Sequence, residues 1–461
     1  ESNSKGGYRL LPSLLTDAPV PDSKYDSYTS MPTWNKVETE GWGATIEYNL
    51  NENWSVKSVT AKREGYSPTN IDFDNTSLRI FDVPAIYEDE QFSQEFQANY
   101  VGDNLTLVSG LYYFKGDSCG VFDAILEEAF KAFGGLTREI SGCNNSESYA
   151  AYVQGSYDFT EKLSMTLGGR YTRETKDATV YNGVIFDSIY PETGWYPGFV
   201  RDEALIEAQV PKVLDDEETW SKFNPRVGLE YQVNDDMMLF TSYSQGFKSG
   251  TFNPRATGAE PAVEPETVDS YEVGIKSEWN DNLRVNATLF YLNHKDRQFV
   301  SVLPGEDSSD LNQRLGNIGK STASGLELEV EYAATDSLNL FANLGLIDAT
   351  FDEVISYDEL GNKIDISDTY TITNTPVVDN LLSQDGYGLL NFGVNWYSND
   401  GHWNAGLHWK NVTDEEYLVG NYAFVTPTGN GDFTPGLGGD NTLIGYYGDP
   451  ETISLTVGYQ F

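Results

Sequence analysis

Three histidines, two cysteines and one glycine-rich stretch are the residues of this chain whose types most readily do chemistry, and their spacing limits what that chemistry is. His294, His402 and His408 contain no H-E-x-x-H pair, so they do not form the zinc site of a hydrolase. His402 and His408 flank alternating residues, where a polar side chain on a strand is the simpler reading. Gly429-Asn-Gly-Asp-Phe-Thr-Pro-Gly-Leu-Gly-Gly439 precedes no helical pattern, which makes it a loop rather than a phosphate cradle. Paired carboxylates are unavoidable among 71 acidic residues and single out nothing. Cys119 and Cys143 fall in one irregular stretch and leave two readings open, a disulfide or, less readily, a pair of metal-binding thiolates. No nucleophile and base stand at a spacing that defines an active site. The expectation is a non-enzyme with no catalytic residue, no metal and no cofactor.

Composition narrows the class further. The chain has 461 residues, 71 acidic and 29 basic, for a formal net charge of −42. Such a polyanion does not seek nucleic acid, whose binding rests on clustered Lys and Arg. Disorder is excluded by 9 Trp, 30 Tyr and 23 Phe, because acidic disordered chains are poor in aromatics. Two cysteines in this length exclude a disulfide-framework domain. Length alone is compatible with several domains or with one large barrel. No apolar run reaches the roughly 18 residues of a membrane-spanning helix, and no signal peptide stands at the start. The chain opens with Glu1, which reads as a processed chain or a fragment.

A fold that exposes many acids while burying aromatic surface is required, and the side-chain period of two identifies it. Ile453, Leu455, Val457, Tyr459 and Phe461 alternate with Thr452, Ser454, Thr456, Gly458 and Gln460. Leu326, Leu328, Val330 and Tyr332 alternate with Glu327, Glu329 and Glu331 in the same way. Connections come in two lengths. Short acidic or Asn-rich turns occur at 50–54, 101–105, 159–163, 233–237, 279–283, 334–338 and 398–403. Long irregular stretches occupy 66–87, 116–146, 176–219, 250–264, 351–387 and 418–450. Short turns alternating with long loops are the asymmetry of an outer-membrane barrel, and a soluble sandwich has no reason to sort its connections by length.

About fifteen strands follow, around 38–50, 53–65, 88–101, 104–117, 146–159, 162–175, 219–234, 236–249, 265–280, 282–300, 313–334, 337–352, 387–399, 401–417 and 450–461. The fold class is therefore all-β, a transmembrane antiparallel β-barrel. An odd count is unexpected for a closed bacterial barrel, since an open edge in lipid leaves backbone groups unpaired.

Several stretches resemble the TonB-dependent outer-membrane receptors of the iron-complex, or siderophore-receptor, type. They are Gln91-Phe-Ser-Gln-Glu-Phe-Gln97, Val108-Ser-Gly-Leu-Tyr-Tyr-Phe114, Leu167-Gly-Gly-Arg-Tyr-Thr-Arg-Glu-Thr-Lys176 and Tyr243-Ser-Gln-Gly-Phe-Lys-Ser-Gly-Thr-Phe-Asn253. Glu264-Pro-Glu-Thr-Val-Asp-Ser-Tyr-Glu-Val-Gly-Ile-Lys276, Lys410-Asn-Val-Thr-Asp-Glu-Glu-Tyr417 and Tyr446-Tyr-Gly-Asp-Pro450 continue the series. Tyr459 and the terminal Phe461 look like the signal read by the barrel-assembly machinery. The resemblance implies about 22 strands around a plug. On that pattern residues 1–461 are the C-terminal part of the barrel. About five strands before Glu38, a hairpin near 373–386, and the N-terminal plug with its energy-coupling box are then expected to be absent from this chain.

The resemblance also implies location and partners: the bacterial outer membrane, its lipid and lipopolysaccharide, and TonB with its inner-membrane motor acting through the plug. In that oxidising setting Cys119 and Cys143 are expected to form a disulfide. Val121-Phe-Asp-Ala-Ile-Leu-Glu-Glu-Ala-Phe-Lys-Ala-Phe133 has helical spacing and predicts a short cap helix, with a substrate lid as the sharper alternative. Ligand contacts are expected from loop aromatics and one cation: Tyr190, Trp195, Tyr196 and Phe199, then Phe252 and Arg255, then Tyr422, Phe424 and Phe433. Arg170 and Lys248 fall on positions facing the lumen or mouth, where acids or the plug would pair with them. The cargo implied is a ferric siderophore or other iron chelate, with an oligosaccharide or other nutrient as the alternative and a passive porin as a more distant one. Net charge favours a neutral or cationic chelate over a polyanionic one.

Overall fold

The computed structural model describes residues 7–10, 28–73, 76–128, 131, 134–186, 195–200, 203–303, 312–317, 319–357, 363–365, 386–427, 433–435 and 442–460. The elements begin with β1 (Gly7–Leu10), β2 (Glu38–Asn49), β3 (Trp54–Asp72), β4 (Asp82–Val101), β5 (Leu105–Ile125), β6 (Leu136–Thr160) and β7 (Leu163–Phe186). A seven-residue helix α1 (Glu203–Gln209) precedes β8 (Lys212–Asn234), β9 (Met237–Lys248), β10 (Glu266–Trp279), β11 (Leu283–Lys295), β12 (Gln298–Leu303) and β13 (Asn312–Asn317). Then come β14 (Gly319–Thr335), β15 (Leu338–Tyr357), β16 (Lys363–Asp365), β17 (Tyr387–Tyr397) and β18 (Trp403–Lys410). The series closes with β19 (Leu418–Pro427), β20 (Phe433–Pro435), β21 (Thr442–Tyr447) and β22 (Thr452–Tyr459). No helix among the described residues is long and apolar enough to cross a membrane.

Fifteen strands form one antiparallel sheet in the order β2-β3-β4-β5-β6-β7-β8-β9-β10-β11-β14-β15-β17-β18-β22, with β16 added to β15. They correspond in order to the fifteen strands read from the sequence. Expected strands 282–300 and 313–334 each divide, into β11 and β12 and into β13 and β14. β15 pairs directly with β17, from Leu338 opposite Trp396 to Ile347 opposite Tyr387. The sheet is thus continuous where a hairpin was expected to be missing, and residues 366–385 of that stretch lie outside the described residues.

Alternation sorts the side chains onto two faces. On β22, Ile453, Leu455 and Val457 are 62%, 70% and 64% exposed, an arrangement that suits lipid and would be costly in water. Opposite faces of the same strands carry the Glu327, Glu329 and Glu331 row and the Gly and Thr positions of β22.

Aromatic pairs bound the apolar band. Next to the short turns lie Trp54 with Tyr100 at 5.1 Å, Tyr157 with Phe159 at 5.1 Å, and Trp403 with Tyr459 at 4.7 Å between ring centroids. Further up lie Tyr113 with Tyr149 at 5.0 Å and Tyr243 with Tyr271 at 5.1 Å. Tyr149 to Tyr157 and Tyr271 to Trp279 each take nine residues, the length of a tilted membrane strand.

Local chemistry fixes the turns. Asn280 and Asp281 both take positive φ, 52° and 59°, in the tight turn between β10 and β11, a conformation that Asn and Asp accept at low cost. The expected strand 401–417 stops at Lys410 because Asn411 ends it. The Asn411 side chain donates to the carbonyls of Glu415 and Asp449 and accepts from the Glu415 N–H. Buried and fully bonded, this side chain ties the end of β18 to the approach of β22.

Candidate ligand-binding lobe and lumen wall

Strands β3 to β8 do not stop at the upper aromatic belt. β6 continues from Ser148 up to Leu136, which is roughly 40 Å at the usual rise per residue. The stretches expected as loops near 66–87 and 116–146 are largely the upper ends of these strands. Val121 to Ile125 is strand, in place of the expected cap helix.

Above the membrane the wall is covered on both faces, and the coverings differ. Ile86 and Ile185 keep the register of the lipid-facing Phe96 and Tyr171, so they mark the outer face. Against them pack Tyr196, Phe199, Ile206 and Val210, with Trp34 alongside. Trp34 stacks on Tyr196 at 5.3 Å, while Asn70 donates to the Tyr196 carbonyl and accepts from its N–H. The Ser30 hydroxyl donates to Asp82 and its N–H to Asp72, holding the 28–36 segment on the same side. On the inner face, Phe252 and Ala256 pack with Ala178, Val180 and Leu214. Asn144 reaches the Phe252 carbonyl and Asn182 the Ala256 carbonyl, at 3.4 and 2.9 Å. A third cluster around Phe81, Val83, Phe122 and Leu136 fills the tip.

Cys119 and Cys143 stand directly opposite on β5 and β6, with Cα atoms 4.0 Å apart, and are bonded. The disulfide expectation therefore holds, on a two-stranded ladder rather than across a loop.

The proposed ligand residues separate into distinct surroundings. Trp195 lies under the Arg79 guanidinium at 4.4 Å, and Tyr196 and Phe199 are buried in the outer covering. Phe252 is 1% exposed, and Arg255 stacks on Phe122 at 4.1 Å on the inner side. A sheet lies between the two groups, so they do not converge on one ligand. The physical reason is that a wall standing in water needs apolar cover on both faces, and these aromatics supply it. Tyr422, Phe424 and Phe433 lie on β19 and β20, in a separate four-stranded sheet of order β1-β21-β19-β20. Tyr190 and Phe461 lie outside the described residues, and Tyr459 belongs to the lower belt.

Charged groups at the mouth fall on the polar register. Burial holds the Lys176 ammonium below its ordinary value, and Lys248 pushes the same way against the pull of Glu174 at 3.6 Å. Among the described residues Arg170 is stacked on rings and makes no ion pair. Its guanidinium carbon lies 5.2 Å from the Tyr112 ring and 5.7 Å from the Tyr152 ring, and its Nε donates to Thr172. The Tyr152 hydroxyl donates to Glu95 at 2.6 Å. Sequence reasoning noticed Arg170 but missed Lys222 and Arg226, which share its face. Their positions two and six residues along the polar parity of β8 from Trp220 were the available signal.

Residues 2–461 match the family described as TonB dependent receptor-like, beta-barrel. The chain belongs to the TonB-dependent receptors. This receptor barrel is 24% identical over 407 residues to a pesticin receptor of Yersinia enterocolitica, a match covering 80% of this chain and 53% of that protein. It is 23% identical over 487 residues to the ferric-pyoverdine M114 receptor PbuA of Pseudomonas sp. (strain M114), covering 93% and 54%. Among solved structures, the ferric yersiniabactin uptake receptor FyuA from Yersinia pestis superposes with a TM-score of 0.63 at 16% identity, covering 96% of this chain and 63% of that one. The chain spans about half the length of the curated relatives it matches. Membership places the receptor barrel in the bacterial outer membrane, in agreement with its lipid-facing register and aromatic belts.

Proposed function

We propose that this chain forms most of the wall of an outer-membrane receptor that imports a ferric siderophore or related iron chelate, without catalysing a reaction on it. The observation that carries the reading is a membrane sheet with a polar inner face that continues upward into a doubly covered extracellular lobe. That arrangement suits capture outside followed by passage along a wide lumen. Relatives named as ferric-pyoverdine and ferric yersiniabactin receptors support iron chelates as the cargo class.

In this reading further strands join the edges β2 and β22, since neither is paired on its outer side among the described residues and open edges are costly in lipid. A plug occupies the lumen, TonB and its inner-membrane motor act through that plug, and the barrel-assembly machinery reads the C-terminal strand. Lipopolysaccharide surrounds the lobe.

The test uses the full-length protein in cells lacking other iron receptors. Uptake of radioactive iron from a panel of ferric chelates should require both the protein and TonB. If no chelate is bound or imported, the iron reading fails and oligosaccharides are next to be tried.

A further inference from the structure

The two extracellular segments that flank the β10–β11 pair share one neck. Residues 249–264 connect β9 to β10, and the β12–β13 hairpin rises between β11 and β14 as a separate two-stranded sheet. Gln298, the first residue of β12, is buried, and its side-chain amide donates to the carbonyls of both Ser249 and Glu264, at 2.7 and 3.0 Å. One side chain thus ties together the two ends of the 249–264 segment. Asn317, opposite Gln298 at the other foot of the hairpin, donates to the Glu264 carbonyl and accepts from the Glu264 N–H, both at 2.9 Å. The Gln298 N–H donates in turn to the Glu266 carboxylate at 2.7 Å.

Beyond the neck the 249–264 segment is braced internally and reaches back to the lobe wall. Thr251 pairs with Val263, and Asn253 donates to Glu260 at 2.8 Å. Gly250 lies against the Trp220 ring of β8, where a Cβ would come within 2.3 Å of both that ring and the Val263 carbonyl. Phe252 and Ala256 pack on Ala178, Val180 and Leu214, and Asn182 holds the Ala256 carbonyl. In sheet order β9, β10 and β11 stand between this wall and the hairpin. Segment and neck therefore join β7 and β8 to the hairpin by a route that bypasses the ladders of the intervening strands. The hairpin forms no ladder with the large sheet among the described residues, and its feet rest on this neck and on the bond from the Arg297 N–H to the Gly319 carbonyl.

We propose that residues 249–264 and the β12–β13 hairpin open as one cooperative unit, coupled through Gln298 and Asn317, so that release of the segment from β7 and β8 also releases the hairpin. Parting the neck leaves several amide and carbonyl groups unpaired at once, which costs more than the net worth of the bonds themselves. Opening both bodies with the neck intact avoids that cost, and local opening proceeds in contiguous units of this kind. Such coupling is reciprocal, so a ligand or partner that holds either body steadies the other. The inference is independent of what the cargo is.

Hydrogen exchange on the full-length receptor tests this with wild type, Phe252→Ala, Gln298→Ala/Asn317→Ala and the triple variant. Phe252→Ala loosens the segment at the wall, away from the neck. With the neck intact it should speed exchange about tenfold or more in 298–303 and 312–317 as well as in 249–264. With the neck removed it should still speed 249–264 while adding less than about twofold to the hairpin. By reciprocity, the neck variant alone should also speed exchange in 249–264. Heat-modifiable migration shows that each variant is assembled, and Asn182→Ala, which removes the bond to the Ala256 carbonyl, replaces Phe252→Ala if that variant does not assemble. A hairpin unaffected by loosening the segment overturns the proposal, as does a 249–264 segment unaffected by loss of the neck. An equal increase in the hairpin with and without the neck overturns it too, because the disturbance then travels through the wall.

Discussion

Phe252 and Phe122 are drawn together by one side chain, Arg255, whose guanidinium carbon sits 4.1 Å above the Phe122 ring while Phe252, three residues earlier, is buried against the inner face of the lobe. The 249–264 segment is thereby fastened to the wall at two points. Its aromatic residue is an anchor, and its cation is a clamp.

Truncating the anchor should free the segment. Phe252→Ala is expected to cost about 3–5 kcal/mol of local stability. Limited proteolysis should then cut within 249–264 in the variant but not in wild type. Equal resistance in both would place the fastening elsewhere.

The Cys119–Cys143 bond joins residues 24 apart in sequence on adjacent strands of the same lobe. Its removal in a Cys119→Ser/Cys143→Ser variant should destabilise the lobe by about 2–4 kcal/mol. The membrane band lies below it and should keep its heat-modifiable migration. Hydrogen exchange should rise in 116–146 and remain unchanged in 149–157, and a uniform rise across both would contradict a bond that acts on the lobe alone.

Just above the upper belt, the Lys295 ammonium at 2.8 Å holds the Asp269 carboxyl below the ordinary carboxylate range despite its burial, with Gln245 and Tyr243 also donating to it. A carboxyl depressed on folding adds stability above its unfolded value and loses it as pH falls through the folded value. Asp269→Asn should therefore lower stability by about 1–2 kcal/mol at neutral pH. Wild type should approach the variant as pH drops below the ordinary aspartate range of about 4. Parallel stability curves for the two proteins across acid pH would rule this out.

The two faces of β22 make opposite predictions. Leu455→Arg places a charge on the lipid side and should cost about 2–4 kcal/mol or block assembly. Thr456→Arg, one residue on and facing the lumen, should assemble within about 0.5 kcal/mol of wild type. Folded-to-unfolded migration on gels measures both, and equal sensitivity would reverse or abolish the face assignment.

How much of this was legible depended on what each face of a strand meets. Where one face meets lipid and the other water, residues such as Leu326 to Tyr332 alternate strictly, and all fifteen membrane strands can be read. Above the belt both faces are covered, so Phe122, Ala124, Ile125 and Leu126 fall on near-consecutive positions and imitate a helix. The lobe therefore looks like loops in sequence although its wall is strand. Tyr196 and Phe199 are equally ambiguous, since an aromatic loop residue that packs and one that binds have the same one-dimensional signature. Lys222 and Arg226 became informative only with register, which shows that they share a face with Arg170.

The edges of the large sheet carry one more constraint. β2 ends in the short turn before Trp54, and β22 ends beside His402, where Gln460 donates its N–H to that residue's carbonyl in another short turn. The two edge strands thus point in the same direction. Brought together directly they would pair in parallel, against the pattern of every other neighbour. A wholly antiparallel cylinder that uses both edges must interpose an odd number of strands, so polarity alone sets the parity of whatever completes the wall.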